Sequence, residues 1–126
     1  MDGAFVWASA FDQDIGGWDV SQVTDMNSAF DGATTFNQDI GDWDVSKVTS
    51  LAYAFYDATA FNQDIGAWDV SSVAYMTAMF VSADAFDQNI SAWNTSKVTE
   101  MEDMFLNSGL SSCPSWAVDT DAGGAC

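Results

Sequence analysis

A tryptophan recurs every 25 residues, at Trp18, Trp43, Trp68 and Trp93, and the rest of the chain repeats with it without insertion or deletion. Phe11, Phe36, Phe61 and Phe86 open four consecutive units. Ile15, Ile40, Ile65 and Ile90 hold the fifth position, Val23, Val48, Val73 and Val98 the thirteenth, and Phe30, Phe55, Phe80 and Phe105 the twentieth. A strict period of this length means small identical modules stacked in a row. One module cannot cover its own apolar face, so the core forms only between neighbours. The expected organisation is a partial coil over residues 1–10, four repeats over 11–35, 36–60, 61–85 and 86–110, and a cap over 111–126. Such an array offers an extended surface rather than one reactive cleft, which weighs against an enzyme.

Each repeat reads as two halves. In the first, Ile15-x-x-Trp18-x-Val20-x-x-Val23 has the spacing of a leucine-rich repeat with other apolar residues in place of leucine. Trp18 and Val20 are expected to point inward from a short strand, and Asp19 and Ser21 outward. In the second half, Met26, Ala29, Phe30 and Ala33 form an i, i+3, i+4, i+7 stripe, the signature of a short helix. Thr99 with Glu102 resembles a capping box, and Thr24, Asp25, Thr49 and Ser50 read as simpler caps. Gly16, Gly41 and Gly66 sit in the connecting turn, where a positive backbone angle is expected, and Ser91 breaks that column. The expected fold is a right-handed α/β solenoid with one short parallel strand and one short helix per repeat.

Charge removes several functions. The chain carries a formal net charge of −17, with Lys47 and Lys97 its only basic residues and no histidine. Nucleic acid and anionic lipid both require Lys and Arg. No apolar run approaches the roughly 18–20 residues of a membrane span, so direct membrane insertion is not expected. The first ten residues lack the positive region of a signal peptide and fit the repeat instead, so the chain reads as truncated or processed at a mid-coil point. Either an upstream coil or cap is missing, or that exposed coil end packs on other copies or in a larger assembly, and head-to-tail stacking of copies would give a filament.

Candidate sites follow the columns. Asp14, Asp39 and Asp64 stack, ending in Asn89, and Asp19, Asp44 and Asp69 stack beside them, ending in Asn94. Stacked like charges repel, so calcium bridging Asp14, Asp39 and Asp64 is one expectation. Hydrogen bonds from turn N–H groups are the other. Asp19, Asp44, Asp69 and Asn94 form the candidate binding face. The tryptophan column could stack on a glycan, although its place in the repeat marks it as core. Asn89-Ile90-Ser91 and Asn94-Thr95-Ser96 are glycosylation sequons. Thr24, Thr49 and Thr99 form a row that Ala74 interrupts, which argues against an ice-binding surface. Cys113 and Cys126 are expected to pair after the last repeat, which suits an extracellular compartment. No catalytic constellation or cofactor motif stands out.

The motif in residues 36–49, FNQDIGDWDVSKVT, and 61–73, FNQDIGAWDVSSV, closely resembles the 25-residue repeat of BspA-like leucine-rich-repeat surface proteins, a repeat type also found in mycoplasma lipoproteins. The resemblance covers residues 1–110. It implies a leucine-rich solenoid, cell-surface or extracellular exposure, and a structural or adhesive role without catalytic residues. Residues 111–126 depart from it, with Ser111 where Phe is expected and Pro114 in the turn. The alternative function is a calcium- or carbohydrate-dependent binding module that uses the acidic face.

Overall fold

In the second half of each repeat the backbone enters the left-handed region twice, four residues apart. Gly3, Ser28, Tyr53, Ala78 and Asp103 hold the first of these places, and Trp7, Gly32, Asp57, Ser82 and Asn107 the second, all with φ between 50° and 69°. A right-handed helix cannot continue through such residues. The computed structural model of the chain describes residues 1–117. Among them there is no α-helix and no strand, only a 3-10 turn at Ser115–Ala117 and isolated parallel bridges joining Asp25, Ser50, Tyr75 and Glu100. The expected α/β solenoid of leucine-rich-repeat type is therefore overturned, as is the reading of these units as leucine-rich repeats.

Each repeat instead forms a layer of tight turns. In the first half, the Trp43 N–H donates to the Ile40 carbonyl at 3.2 Å and Val48 N–H to Val45 at 2.9 Å, so corners interrupt the expected strand. In the second half the N–H groups alternate. Ala29, Asp31 and Ala33 donate back to Met26, Ser28 and Phe30 in their own layer. Met26, Ser28, Phe30 and Gly32 donate instead to Ser50, Ala52, Ala54 and Tyr56 of the following layer at 2.8–3.0 Å. The alternation recurs from Leu51 to Asp57 and from Met76 to Ser82. Layer-to-layer pairing thus runs through the half expected to be helical. Thr49 and Thr99 do not cap helices; their hydroxyls donate to the Thr24 and Ala74 carbonyls one layer below.

The apolar stripe still faces in. Met26, Ala29, Phe30 and Ala33 are buried, because two left-handed steps four residues apart return the chain to the same side about as often as a helical turn does. All nine phenylalanines stand in two adjoining columns. Phe30, Phe55 and Phe80 stack at 5.4 and 5.5 Å between ring centres, and Phe36, Phe61 and Phe86 at 6.0 and 6.2 Å. The two columns touch at 4.1 Å between Phe55 and Phe61. Offset stacking at such separations adds to the area each ring buries.

The glycine column serves a different purpose from the one expected. Gly16, Gly41 and Gly66 do not adopt positive φ. A Cβ at these sites would lie 2.6, 2.6 and 2.5 Å from the carbonyl oxygens of Asp39, Asp64 and Asn89 in the following layer. Close approach between layers, not turn geometry, excludes a side chain there. Ser91 stands at the exposed end of this column, after the last such approach.

Candidate binding faces

The two acidic columns lie on the outside, and their carboxylates are engaged locally. Asp14, Asp39 and Asp64 accept the backbone N–H of Gly16, Gly41 and Gly66 at 3.0, 3.0 and 2.9 Å. Asn89 accepts from Ser91 in the same way. Asp19, Asp44, Asp69 and Asn94 accept the N–H of the serine two residues on, at 3.0–3.2 Å. Short polar side chains make such turns because the acceptor reaches its own backbone two residues later. The Ser21, Ser46 and Ser71 hydroxyls, then their N–H groups, hold the Asp19, Asp44 and Asp69 carboxyls below the ordinary value. Lys47 adds to this at Asp19 and Asp44, and Lys97 at Asp69. Both lysines of the chain therefore sit beside this acidic face.

Calcium finds no ready cage in this arrangement. Among the described residues no group of three or more His, Cys, Asp or Glu is placed to hold a metal ion. The sequon residues Asn89 and Asn94 are exposed, with side-chain oxygens turned to their own serines. The expected Cys113–Cys126 disulfide ends on Cys126, outside the described residues.

A second polar ladder escaped the sequence reading, which treated its residues as a turn. Asp12, Asn37 and Asn62 each accept, at 2.9 Å, the N–H of the equivalent residue one layer on. Gln38, Gln63 and Gln88 clamp the same oxygens at 2.8–3.1 Å. The N–H of Asn37 and then the amide of Gln38 hold the Asp12 carboxyl below its usual value. Ser111 closes the ladder, giving its N–H and hydroxyl to Asp87 at 2.8 Å each, and the Asp87 carboxyl is lowered for that reason. Ser111 thus does not stand in for the missing Phe; it continues the Asx column one residue early. The regular Asx-Gln pair in every repeat was the signal available.

The ends differ. Trp43, Trp68 and Trp93 are buried at 4 % exposure, and each indole N–H donates to the isoleucine carbonyl of the layer below at 3.0–3.1 Å. Trp116 repeats that bond on Ile90 and stacks on Trp93 at 6.1 Å, so the last layer is covered over Trp93. Trp18, at the other face, is 50 % exposed. Its indole N–H, the Gln13 amide and the Thr24 hydroxyl donate to no group among the described residues.

These observations define a class first: a repeat protein of stacked, turn-built layers with an aromatic interior and an acidic exterior. Within that class the chain belongs to the family described as Mycoplasma protein of unknown function, DUF285, whose profile matches residues 1–115. The match agrees with a mycoplasma-type repeat and does not extend to the leucine-rich architecture. Neither the curated proteins nor the solved structures contain a match. Among the described residues no helix is long and apolar enough to cross a membrane.

Proposed function

We propose that this chain is a non-enzymatic surface repeat protein, structural or adhesive in role, located at the cell surface or outside the cell. One observation carries the reading. Two kinds of column repeat, the large apolar ones inside and the Asx, Gln and Ser ones that close the turns outside, while several other outward positions change from layer to layer. Gly17, Asp42, Ala67 and Ala92 form one changing column, Gln22, Lys47, Ser72 and Lys97 a second, and Asp25, Ser50, Tyr75 and Glu100 a third, none of them buried. A constant interior with a varied exterior is what a display scaffold needs, since stacking fixes the layers and leaves the outer side chains free to differ. The repeat-level resemblance to BspA-like surface proteins supports the location and the adhesive role. The test has two arms. Protease treatment of intact cells should remove the protein, and the purified chain should hold cells or matrix better than an unrelated protein of equal charge. Protection from protease would remove the surface assignment, and equal retention would remove the adhesive one.

The half-exposed Trp18 and its unbonded indole N–H support a covering layer at this face, supplied by a preceding repeat of the same protein, another copy or a larger surface body. The unanswered donors of this face match the acceptors that every inner layer offers to the layer above. A head-to-tail filament further requires the Trp116 cap to open over Trp93. Light scattering of the wild type against Trp18→Asp reads this directly, with association expected only in the former. A wild type that stays monomeric at high concentration would remove it.

A further inference from the structure

All three tyrosines of the chain lie outside the repeating core, on one flank. Tyr53 shares its column with Gly3, Ser28, Ala78 and Asp103, and Tyr75 shares its column with Asp25, Ser50 and Glu100. No other layer places an aromatic at either position, so the stack does not require one. Both rings are exposed, at 41 % and 44 %. Tyr53 is held at φ 59°, a region that bulky residues seldom occupy, and Tyr56 leans on it with ring centres 6.1 Å apart.

Tyr53 and Tyr75 both line a shallow groove of about 420 Å³. Asp25 and Glu100 mark its ends, and Asn27, Ser50 and Thr77 line its length. The parallel bridges set Asp25, Ser50, Tyr75 and Glu100 on successive layers, so the groove spans roughly 14 Å at the usual inter-strand spacing. Ser50 donates to Asn27 Oδ1 at 2.7 Å, which aims the Asn27 amide. The lining therefore combines two aromatic residues with carboxylates, hydroxyls and an amide.

We propose that this groove binds a neutral oligosaccharide, with Tyr53 and Tyr75 as stacking platforms and Asp25, Asn27, Thr77 and Glu100 as hydrogen-bonding groups. Sugar rings present an apolar C–H face to an aromatic and paired hydroxyls to carboxylates and amides. No basic residue lines the groove, so an anionic glycan, phosphate or nucleic acid lacks a counter-charge there. A basic peptide fits less well, because the dense carboxylate columns lie elsewhere, at Asp14, Asp39 and Asp64 and at Asp19, Asp44 and Asp69. The site is distinct from both columns. It names a ligand class for the adhesive reading and rests on it.

The test is an array of immobilised neutral glycans (glucan, mannan and N-acetylglucosamine oligomers) probed with the purified chain and two variants. Tyr53→Ser and Tyr75→Ser introduce the residue that Ser28 and Ser50 already provide in neighbouring layers, so the stack tolerates them. A neutral glycan should be bound, and each variant should weaken that binding at least tenfold. Asp44→Ala with Asp69→Ala should leave it unchanged. Absence of neutral-glycan binding overturns the proposal. So does binding lost only in the aspartate variants, or an oligolysine probe that the tyrosines hold while no glycan is bound. Adhesion to cells that survives both tyrosine changes would overturn the glycan site and leave the adhesive role standing. Glycan binding by a protein shielded inside the cell would do the reverse.

Discussion

Trp18 and Trp68 hold the same place in the repeat and live in different surroundings. Trp68 is buried under the next layer and gives its indole N–H to Ile40 at 3.0 Å. Trp18 lies half exposed and touches Phe5 only at a tilted 5.9 Å. The sequence around the two is nearly the same, so burial here belongs to the stack and not to the residue. Trp116 makes the point from the other side. It sits 23 residues after Trp93 rather than 25, yet it finds the Ile90 carbonyl and covers the last layer. Over Trp93 the C-terminal end is covered by a cap that abandons the period to reach the right atoms. The N-terminal end keeps the period and leaves its donors outward.

The strongest break in that comparison is truncation of the two indoles. Trp68→Ala should cost roughly 3–5 kcal/mol, the range for emptying an aromatic core site, whereas Trp18→Ala should cost about 1 kcal/mol for a half-exposed ring. Urea unfolding followed by circular dichroism measures both. Equal costs would mean that Trp18 is covered in solution. The glycine column gives the next effect. Gly66→Ala drives a methyl group into the Asn89 carbonyl, where a Cβ lies at 2.5 Å, and should destabilise by roughly 1–3 kcal/mol through overpacking. Ser91→Ala, at the uncovered end of the same column, should stay within about 0.5 kcal/mol. A mild Gly66→Ala would show that the layers can separate there.

Much of this was legible in the chain. The period placed every Phe, Ile and inner Trp in a column, and the i, i+3, i+4, i+7 stripe named the buried side of the second half correctly. The element was misread because helical spacing is shared by any path that returns to one side every three or four residues. Left-handed residues at Tyr53, Ala78, Asp57 and Ser82 carry no strong sequence signal, since only Gly3 and Gly32 in those columns are glycine. The acidic columns were read with both outcomes open, and turn N–H groups occupy them. The tyrosine groove was missed because its residues come from different repeats at positions that vary, and a search for what repeats passes over them.

Asp31 sharpens the contrast between constant interior and varied exterior at a smaller scale. Its column otherwise holds Val6, Tyr56, Val81 and Leu106. One Asp31 carboxylate oxygen is buried without a hydrogen-bond partner. Burial, and then the charge of Asp57, raises its pKa above the ordinary value. Asp31→Val should therefore stabilise the chain by about 1 kcal/mol at pH 7, the lower end for relieving an unsatisfied polar group. The sign with pH follows from the raised value. The folded state binds the Asp31 proton more tightly than the unfolded state, so the wild-type penalty shrinks as pH falls through the folded pKa. The advantage of Asp31→Val should fade between pH 7 and pH 4 in paired thermal melts. An advantage that stays constant would mean the carboxyl is neutral throughout or solvated.

The smallest expected effect concerns the exterior alone. Asp14, Asp39 and Asp64 each accept a turn N–H, and among the described residues no three acidic groups converge to enclose an ion. A calcium site of the usual kind needs six to eight oxygens around one centre. Millimolar calcium should therefore raise the melting temperature no more than sodium chloride of matched ionic strength, since both act by screening a chain of charge −17. EDTA should leave the melt where matched salt leaves it. The paired-salt design separates the two origins: screening follows ionic strength without saturating, whereas a bound ion saturates and is lost on chelation. A saturating rise with calcium, abolished by Asp39→Asn, would show that the carboxylates trade their turn hydrogen bonds for metal, and that the exterior columns hold the layers together as the phenylalanines do inside.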